Sequence, residues 1–160
     1  MNLNNLDTII HKINDEDKNT IFQIASSEEI DKLINEYPHV KQVICTGENS
    51  YTLFAYKNSR VFAFMSVFRR EIEVPIKGLV EDFINVIDII DVSQKRQGYG
   101  SKLIGIAKSF AQQDGIFQIR AYCEVSNTAS LALWNSNGFS LNPIKVINGI
   151  VVGCFAAYRF

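Results

Sequence analysis

The spacing of apolar residues changes several times along this chain, and each change predicts an element. "YTLFAYKNSRVFAFMSVFRREIEV", residues 51–74, is dense in aromatic and β-branched residues and is broken only by the polar "KNSR". It predicts an antiparallel hairpin turning near Asn58–Ser59. "FINVIDIIDV", residues 83–92, predicts a largely buried strand. Simple alternation puts Ile84, Val86, Asp88 and Ile90 on one of its faces and Asn85, Ile87, Ile89 and Asp91 on the other. From Ser101 to Asp114 the period lengthens: Leu103, Ile106, Ala107 and Phe110 make a helical stripe, with Gly115 as its stop. "FQIRAYCEV" returns to strand, and "SNTASLALWNSNG" predicts a second helix, capped by Ser126 or Asn127 and ended by Gly138. The last 21 residues predict a hairpin around Asn148–Gly149.

The N-terminal quarter is less regular. "LDTIIHKI", residues 6–13, is a short apolar run that can form a first strand. "DEDKNTIFQIASSEEIDKLINEY" predicts one or two helices, with Asp15–Asp17 at a helix N-terminus, where negative charge is favoured. The order is strands, then strand–helix–strand–helix, then strands: a mixed α/β sheet.

Composition narrows the class. The 160 residues are 47% hydrophobic and show no repeat or Pro/Gly/Ser linker, so one domain over residues 1–160 is expected. The formal net charge of −1, from 16 basic and 17 acidic residues, argues against a nucleic-acid partner. Cys45, Cys123 and Cys154 show no CxxC spacing and suit small core residues in a reducing compartment, with no metal site. No apolar run approaches membrane-spanning length and no leader pattern opens the chain, so a soluble cytoplasmic protein is expected. His11 and His39 carry no assignable role. The terminal hairpin is apolar enough to pack on a second copy of the chain as a homodimer.

The candidate chemistry sits where the buried strand gives way to "VSQKRQGYGSKLIG", residues 92–105. Glycine exposes bare backbone, a helix start leaves N–H groups unpaired, and Lys95 and Arg96 add positive charge. That combination suits a phosphate or pyrophosphate. GxxxxGK[ST] is absent, and GxGxxG fails because residue 103 is leucine.

"QKRQGYGSKLIGIAKSFA" followed by "NTASLALWNSNGF" resembles the GNAT superfamily of acyl-CoA-dependent N-acetyltransferases. The first stretch is similar to that family's (Q/R)xxGx(G/A) motif. The second is similar to its Nxx(A)xxL(Y)xxxGF segment through Asn127, Leu133, Gly138 and Phe139. The resemblance covers residues 83–140 and implies a mixed, mostly antiparallel sheet flanked by helices. It further implies acetyl transfer from acetyl-CoA to a primary amine, on a small molecule or a peptide, by direct attack and without a metal.

On that resemblance the pyrophosphate would be held by Lys95, Arg96, Gln97, Gly98, Tyr99, Gly100 and Ser101. The pantetheine arm would pair with backbone at Asp88, Ile89 and Ile90, one N–H there polarising the thioester oxygen, and Asn127 and Trp134 would complete the cofactor site. Asp88 is the first candidate for the base, against a purely structural carboxylate. Glu124, Glu81 and Asp82 are weaker candidates.

Four departures from the family pattern stand out: Lys95 for Gln or Arg, Val92 for proline, Ser130 for alanine, and Trp134 for a proton-donating tyrosine. Tyr122 occupies a position where some members carry a catalytic glutamate. Trp134 offers an N–H but no usable proton, so Tyr122 or Tyr99 would have to supply the phenol. The missing tyrosine also keeps open an acyl-CoA-binding sensor domain, with an unrelated nucleotide binder as a more distant reading.

Overall fold

The computed structural model describes residues 1–16, 19–72 and 77–160. Helix α1 (Leu3–Glu16) is followed by β1 (Ile21–Ile24), α2 (Ser27–Glu36) and a 3₁₀ turn (Pro38–Gln42). The hairpin β2 (Ser50–Lys57) and β3 (Arg60–Glu71) leads to β4 (Val80–Ile89), a short 3₁₀ turn (Val92–Gln94) and α3 (Tyr99–Gln113). Then come β5 (Gln118–Glu124), α4 (Thr128–Ser136), β6 (Ser140–Ile147) and β7 (Ile150–Arg159). The seven strands form one sheet in the order β1-β2-β3-β4-β5-β7-β6, in which only β4 and β5 run parallel. The mixed, mostly antiparallel sheet expected from the sequence is the one observed. Glu73 and Val74, included in the expected hairpin, lie outside the described residues.

Both expected turns hold for a backbone reason. Asn58 and Ser59 have φ of 51° and 61°, and Asn148 and Gly149 have 50° and 78°, the left-handed pair that matches strand twist. The helix stops hold too. After α3, Ile116 N–H donates to the Ala111 carbonyl (2.9 Å) and Gly115 N–H to that of Gln112 (3.2 Å). Gly138 and Phe139 repeat the motif on Asn135 and Trp134. The "GF" after α4 is thus a C-cap, and Phe139 packs on Trp134 with ring centroids 5.0 Å apart.

The N-terminal expectations need correction. "LDTIIHKI" lies inside α1 rather than in a strand, because Leu6, Ile9 and Ile10 are helix-spaced and all three are buried. Asp15 falls in the last turn of α1 rather than at a helix start, and Asp17 lies outside the described residues. The first strand is "IFQI". Asn14 of α1 clamps its middle: Phe22 N–H donates to Asn14 Oδ1 and Asn14 Nδ2 to the Phe22 carbonyl, both at 2.8 Å. Helix α2 starts instead at a capping box between Ser26 and Glu29, worth about 1 kcal/mol.

Two cores lie on opposite faces of the sheet. α1, α3 and Trp134 of α4 cover one face with Met65, Val67, Ile84 and Ile119; α2 covers part of the other with Phe54 and Phe64. The α3 stripe Leu103, Ile106, Ala107 and Phe110 is fully buried, so cutting Leu103 to alanine would cost about 2–5 kcal/mol.

The alternation expected along β4 is broken at one residue. Ser66 pairs with Val86 but Val67 pairs with Ile84, which leaves Asn85 as the extra residue of a bulge. Ile84 therefore joins Ile87 and Ile89 on the α3 face. Val86 and Ile90 turn to the α2 face, and so does Asp88, directly opposite Phe64.

Before the bulge, Glu81 and Asp82 are fully buried and serve opposite faces. Asp82 accepts from Arg69 Nε (2.7 Å), whose Nη1 also reaches Asp114 (2.6 Å) at the end of α3. Glu81 accepts from Arg70, Gln118 and Arg120. Neither carboxylate lies in the open part of the sheet, so both are structural ion-pair partners rather than candidates for the base.

Candidate active site

The site begins where β4 and β5 stop pairing. Their parallel ladder runs only from Glu81–Gln118 to Ile84–Ala121. Beyond it β4 stays with β3 as far as Ile89, while β5 stays with β7 as far as Glu124. A wedge therefore opens between residues 85–89 and 122–124, starting at the Asn85 bulge. Asn85 is fixed by its side chain, which donates to the Val43 carbonyl at 2.8 Å.

The free edge of β4 carries main-chain groups. Ile90 N–H donates to the Phe62 carbonyl (2.8 Å), so the alternation of an antiparallel ladder turns the N–H and C=O of Ile87 and Ile89 into the wedge. Of the backbone expected to take the cofactor arm, Ile89 fits. Ile90 does not, because its N–H is engaged by β3; the other wedge-facing backbone is that of Ile87.

The wedge leads to the glycine junction. Asp91 accepts from Ser93 N–H (2.9 Å) and Ser93 Oγ (2.7 Å), and these bonds hold its carboxyl below the ordinary aspartate range. Gln97 Nε2 closes the loop on the Ser93 carbonyl at 2.8 Å. Arg96 (φ 63°) and Gly98 (φ 84°) are both left-handed, and α3 starts at Tyr99. The first main-chain bond of the helix runs from Lys102 N–H to the Gly98 carbonyl (3.0 Å).

The six N–H groups from Arg96 to Ser101 thus have no acceptor among the described residues. Lys95, Arg96, Gln97 and Gly98 are exposed. A Cβ on Gly98 would meet nothing within 4 Å, so the space in front of these donors is open. A Cβ on Gly100 would press on Leu133 at 3.2 Å, so this glycine serves the close packing of α3 on α4. Ser101 ties the same two helices together by accepting from Asn137 Nδ2 at 3.0 Å. Tyr99 packs edge-on against Phe62 at 4.6 Å.

The remaining residues flank the wedge. Asn127 caps α4 by accepting from Ser130 N–H (3.0 Å). Asp88 is half-buried, and no hydrogen bond or ion pair is seen for it among the described residues. Tyr122 lies 38% exposed on the face of Asp88 and donates its phenol proton to Glu124 Oε1 at 2.6 Å. That bond pushes its pKa up to about 12, which makes the phenol a poor proton donor at neutral pH. Lys145 stands 3.8 Å from the same carboxylate. Trp134 is 2% exposed and its indole N–H has no partner among the described residues. An unpaired buried donor is costly, and this one lies in the core on the α3 face, against Phe139.

Two features of the site escaped sequence reasoning. Asn85 reads as an ordinary polar alternate until the register is known. Gly153, in the middle of β7, is where the Tyr122 ring lies directly on the backbone, and a Cβ there would overlap it; a glycine inside a strand is the signal for such an approach.

Comparison with known proteins agrees with this geometry. The model of the acetyltransferase (GNAT) family matches residues 10–139. No curated protein sequence matches. Among solved structures, Arabidopsis thaliana NAA60 in complex with a bisubstrate analogue is 14% identical, with a TM-score of 0.67, over 88% of this chain and 97% of that one. The IAA acetyltransferase of Bacillus cereus is 18% identical, with a TM-score of 0.62, over 88% and 99%. The yncA protein of Salmonella typhimurium with acetyl-CoA is 18% identical, with a TM-score of 0.61, over 88% and 94%. The extent of the family match, together with the wedge and its glycine junction, settles the family: the chain belongs to the GNAT acetyltransferases and is an acyltransferase.

Proposed function

We propose that this enzyme transfers the acetyl group of acetyl-CoA to a primary amine by direct attack of the amine on the thioester. One observation carries the reading: a free β4 edge leads, through the turn at residues 91–95, to six N–H groups unpaired among the described residues, beside two exposed cations. A long ligand with amide groups at one end and a diphosphate at the other matches that sequence of partners. The acetyl-CoA held by yncA and the bisubstrate analogue held by NAA60 support the choice of donor. The open space over Gly98 is a feature that a bound cofactor would use.

The residues divide the work. Backbone N–H groups of residues 96–101, with Lys95 and Arg96, take the diphosphate. Ile87 and Ile89 take the amides of the arm, and a wedge-facing N–H polarises the carbonyl to be attacked. Asp88 accepts the proton that the amine must lose to become a nucleophile. Acetyl-CoA supplies the acyl group already activated as a thioester. A new C–N bond replaces the C–S bond, and the departing sulfur takes a proton from solvent, with the Trp134 N–H as a hydrogen-bond donor rather than an acid.

The test is thiol release from acetyl-CoA across a panel of amines, with the acetylated product identified by mass. Amine-dependent release is expected. Tight binding of acetyl-CoA with no turnover on any amine would overturn the reading in favour of a sensor.

A further inference from the structure

The α2 face of the sheet is only half covered. α2 and the turn after it pack on Phe54, Phe64, Val86 and Ile90. Phe68, Phe83 and Phe155 lie on the same face beyond that cluster and belong to neither core. Phe83 stacks with Phe68 at 5.2 Å and meets Phe155 edge-on at 6.2 Å, and Phe155 meets Tyr122 at 6.2 Å. An aromatic shelf therefore runs from the paired part of β4 and β5 to the mouth of the wedge.

Two arginines lie on that shelf. Arg70 is held over Phe83 at 4.8 Å and Arg120 over Phe155 at 4.4 Å. They share one carboxylate oxygen of Glu81, at 2.8 and 2.6 Å, while Gln118 takes the other at 2.7 Å. Burial pushes the Glu81 carboxyl up, but these three hydrogen bonds outweigh it and hold the group below its usual range. Two guanidiniums against one carboxylate leave a net positive charge. Their side chains are 42% and 24% exposed, so the charge is accessible from the shelf.

We infer that this shelf is the far half of the acceptor site and that it selects a peptide whose fourth or fifth residue is acidic. The inference rests on the acetyl-transfer reading. Arg120 is two residues from Tyr122 on the same face of β5, which is about 7 Å along a strand. A small amine placed at Asp88 would leave the guanidiniums untouched. Asp88 pairs with Phe64 and Phe83 with Phe68, four residues further along β3, and Phe83 stands beside Arg120. An extended peptide rises about 3.3 Å per residue, so its fourth or fifth side chain falls over Arg120. A carboxylate there meets the exposed part of the two guanidiniums and balances their surplus charge, and the peptide backbone lies on the aromatic rings. Charge-assisted hydrogen bonds of this kind are the strong ones.

The test uses the intact protein, acetyl-CoA and short peptides with a free N-terminus that differ only in Glu, Gln or Lys at the fifth residue. The Glu peptide should have a KM about tenfold below that of the Gln peptide, with Lys worse and kcat similar for all three. Arg120→Gln should erase the Glu/Gln ratio. Arg70→Gln, at the more exposed position, should reduce the ratio. Each ratio is internal to one variant, so a loss of folded protein does not move it. Equal KM values for all three peptides, or acetylation of small amines but of no peptide, would overturn the shelf inference and leave acetyl transfer standing. Failure of every acceptor with acetyl-CoA still bound would overturn acetyl transfer, and the shelf with it.

Discussion

Replacing Gly98 by alanine adds one methyl group at a position where the backbone is left-handed (φ 84°) and nothing stands within 4 Å. Two effects follow, and a second glycine separates them. The left-handed conformation costs a residue with a Cβ about 1 kcal/mol, which for a chain of this size lowers Tm by about 2–4 °C. Gly115 is also left-handed (φ 68°), also faces open space, and ends α3 at the opposite pole of the helix. Gly115→Ala should therefore show the same loss of Tm. Only at Gly98 does the methyl stand in front of the unpaired N–H groups. Removing two of those contacts at about 1.5 kcal/mol each would weaken acetyl-CoA binding by about 3 kcal/mol, more than a hundredfold in Kd. Thermal unfolding measures the first effect, and titration calorimetry with acetyl-CoA the second. Normal affinity in Gly98→Ala, or an equal loss in Gly115→Ala, would refute the assignment of the anion to this junction.

Three further outcomes are expected. Gly153→Ala should displace the Tyr122 ring and break its bond to Glu124; ultraviolet titration should show the phenol returning from about 12 toward its ordinary 10, with acetyl-CoA affinity unchanged. Trp134→Phe removes the orphaned N–H, so turnover should fall about tenfold if that donor supports the departing sulfur, while Tm holds; unchanged turnover would assign the indole to packing alone. Glu81 titrates below 4.5 when folded, so the stability it confers is present above that pH and is lost as the pH falls through the folded value. Glu81→Gln should therefore lose about 3 kcal/mol at neutral pH and show a flatter acid limb in a Tm–pH profile.

What the sequence disclosed is local. Asn58–Ser59, Asn148–Gly149, Gly115 and Gly138 each mark a left-handed backbone position that few residues tolerate, and each turn or stop appeared where expected. The glycine junction was legible for the same reason. Three features were not. In an eight-residue window around Leu6 helix and strand spacings overlap, and only the whole of α1 resolves them. One inserted residue at Asn85 turns Ile84 away from Val86 and Asp88, and a period of two carries no trace of it. The setting of Tyr122 depends on Gly153 and Phe155, some thirty residues away, because β7 inserts between β5 and β6.

Asn14 has a consequence for assembly. The sheet has two outer strands, and they are finished differently. At β1 the Asn14 side chain already occupies the outward N–H and C=O of Phe22, where an added strand would have to dock. At β6 every residue is exposed, and Ile144, Val146 and Ile147 are each about half exposed or more. A sheet that can be extended on one side only cannot build a filament. Any further strand is therefore directed to β6 rather than to β1.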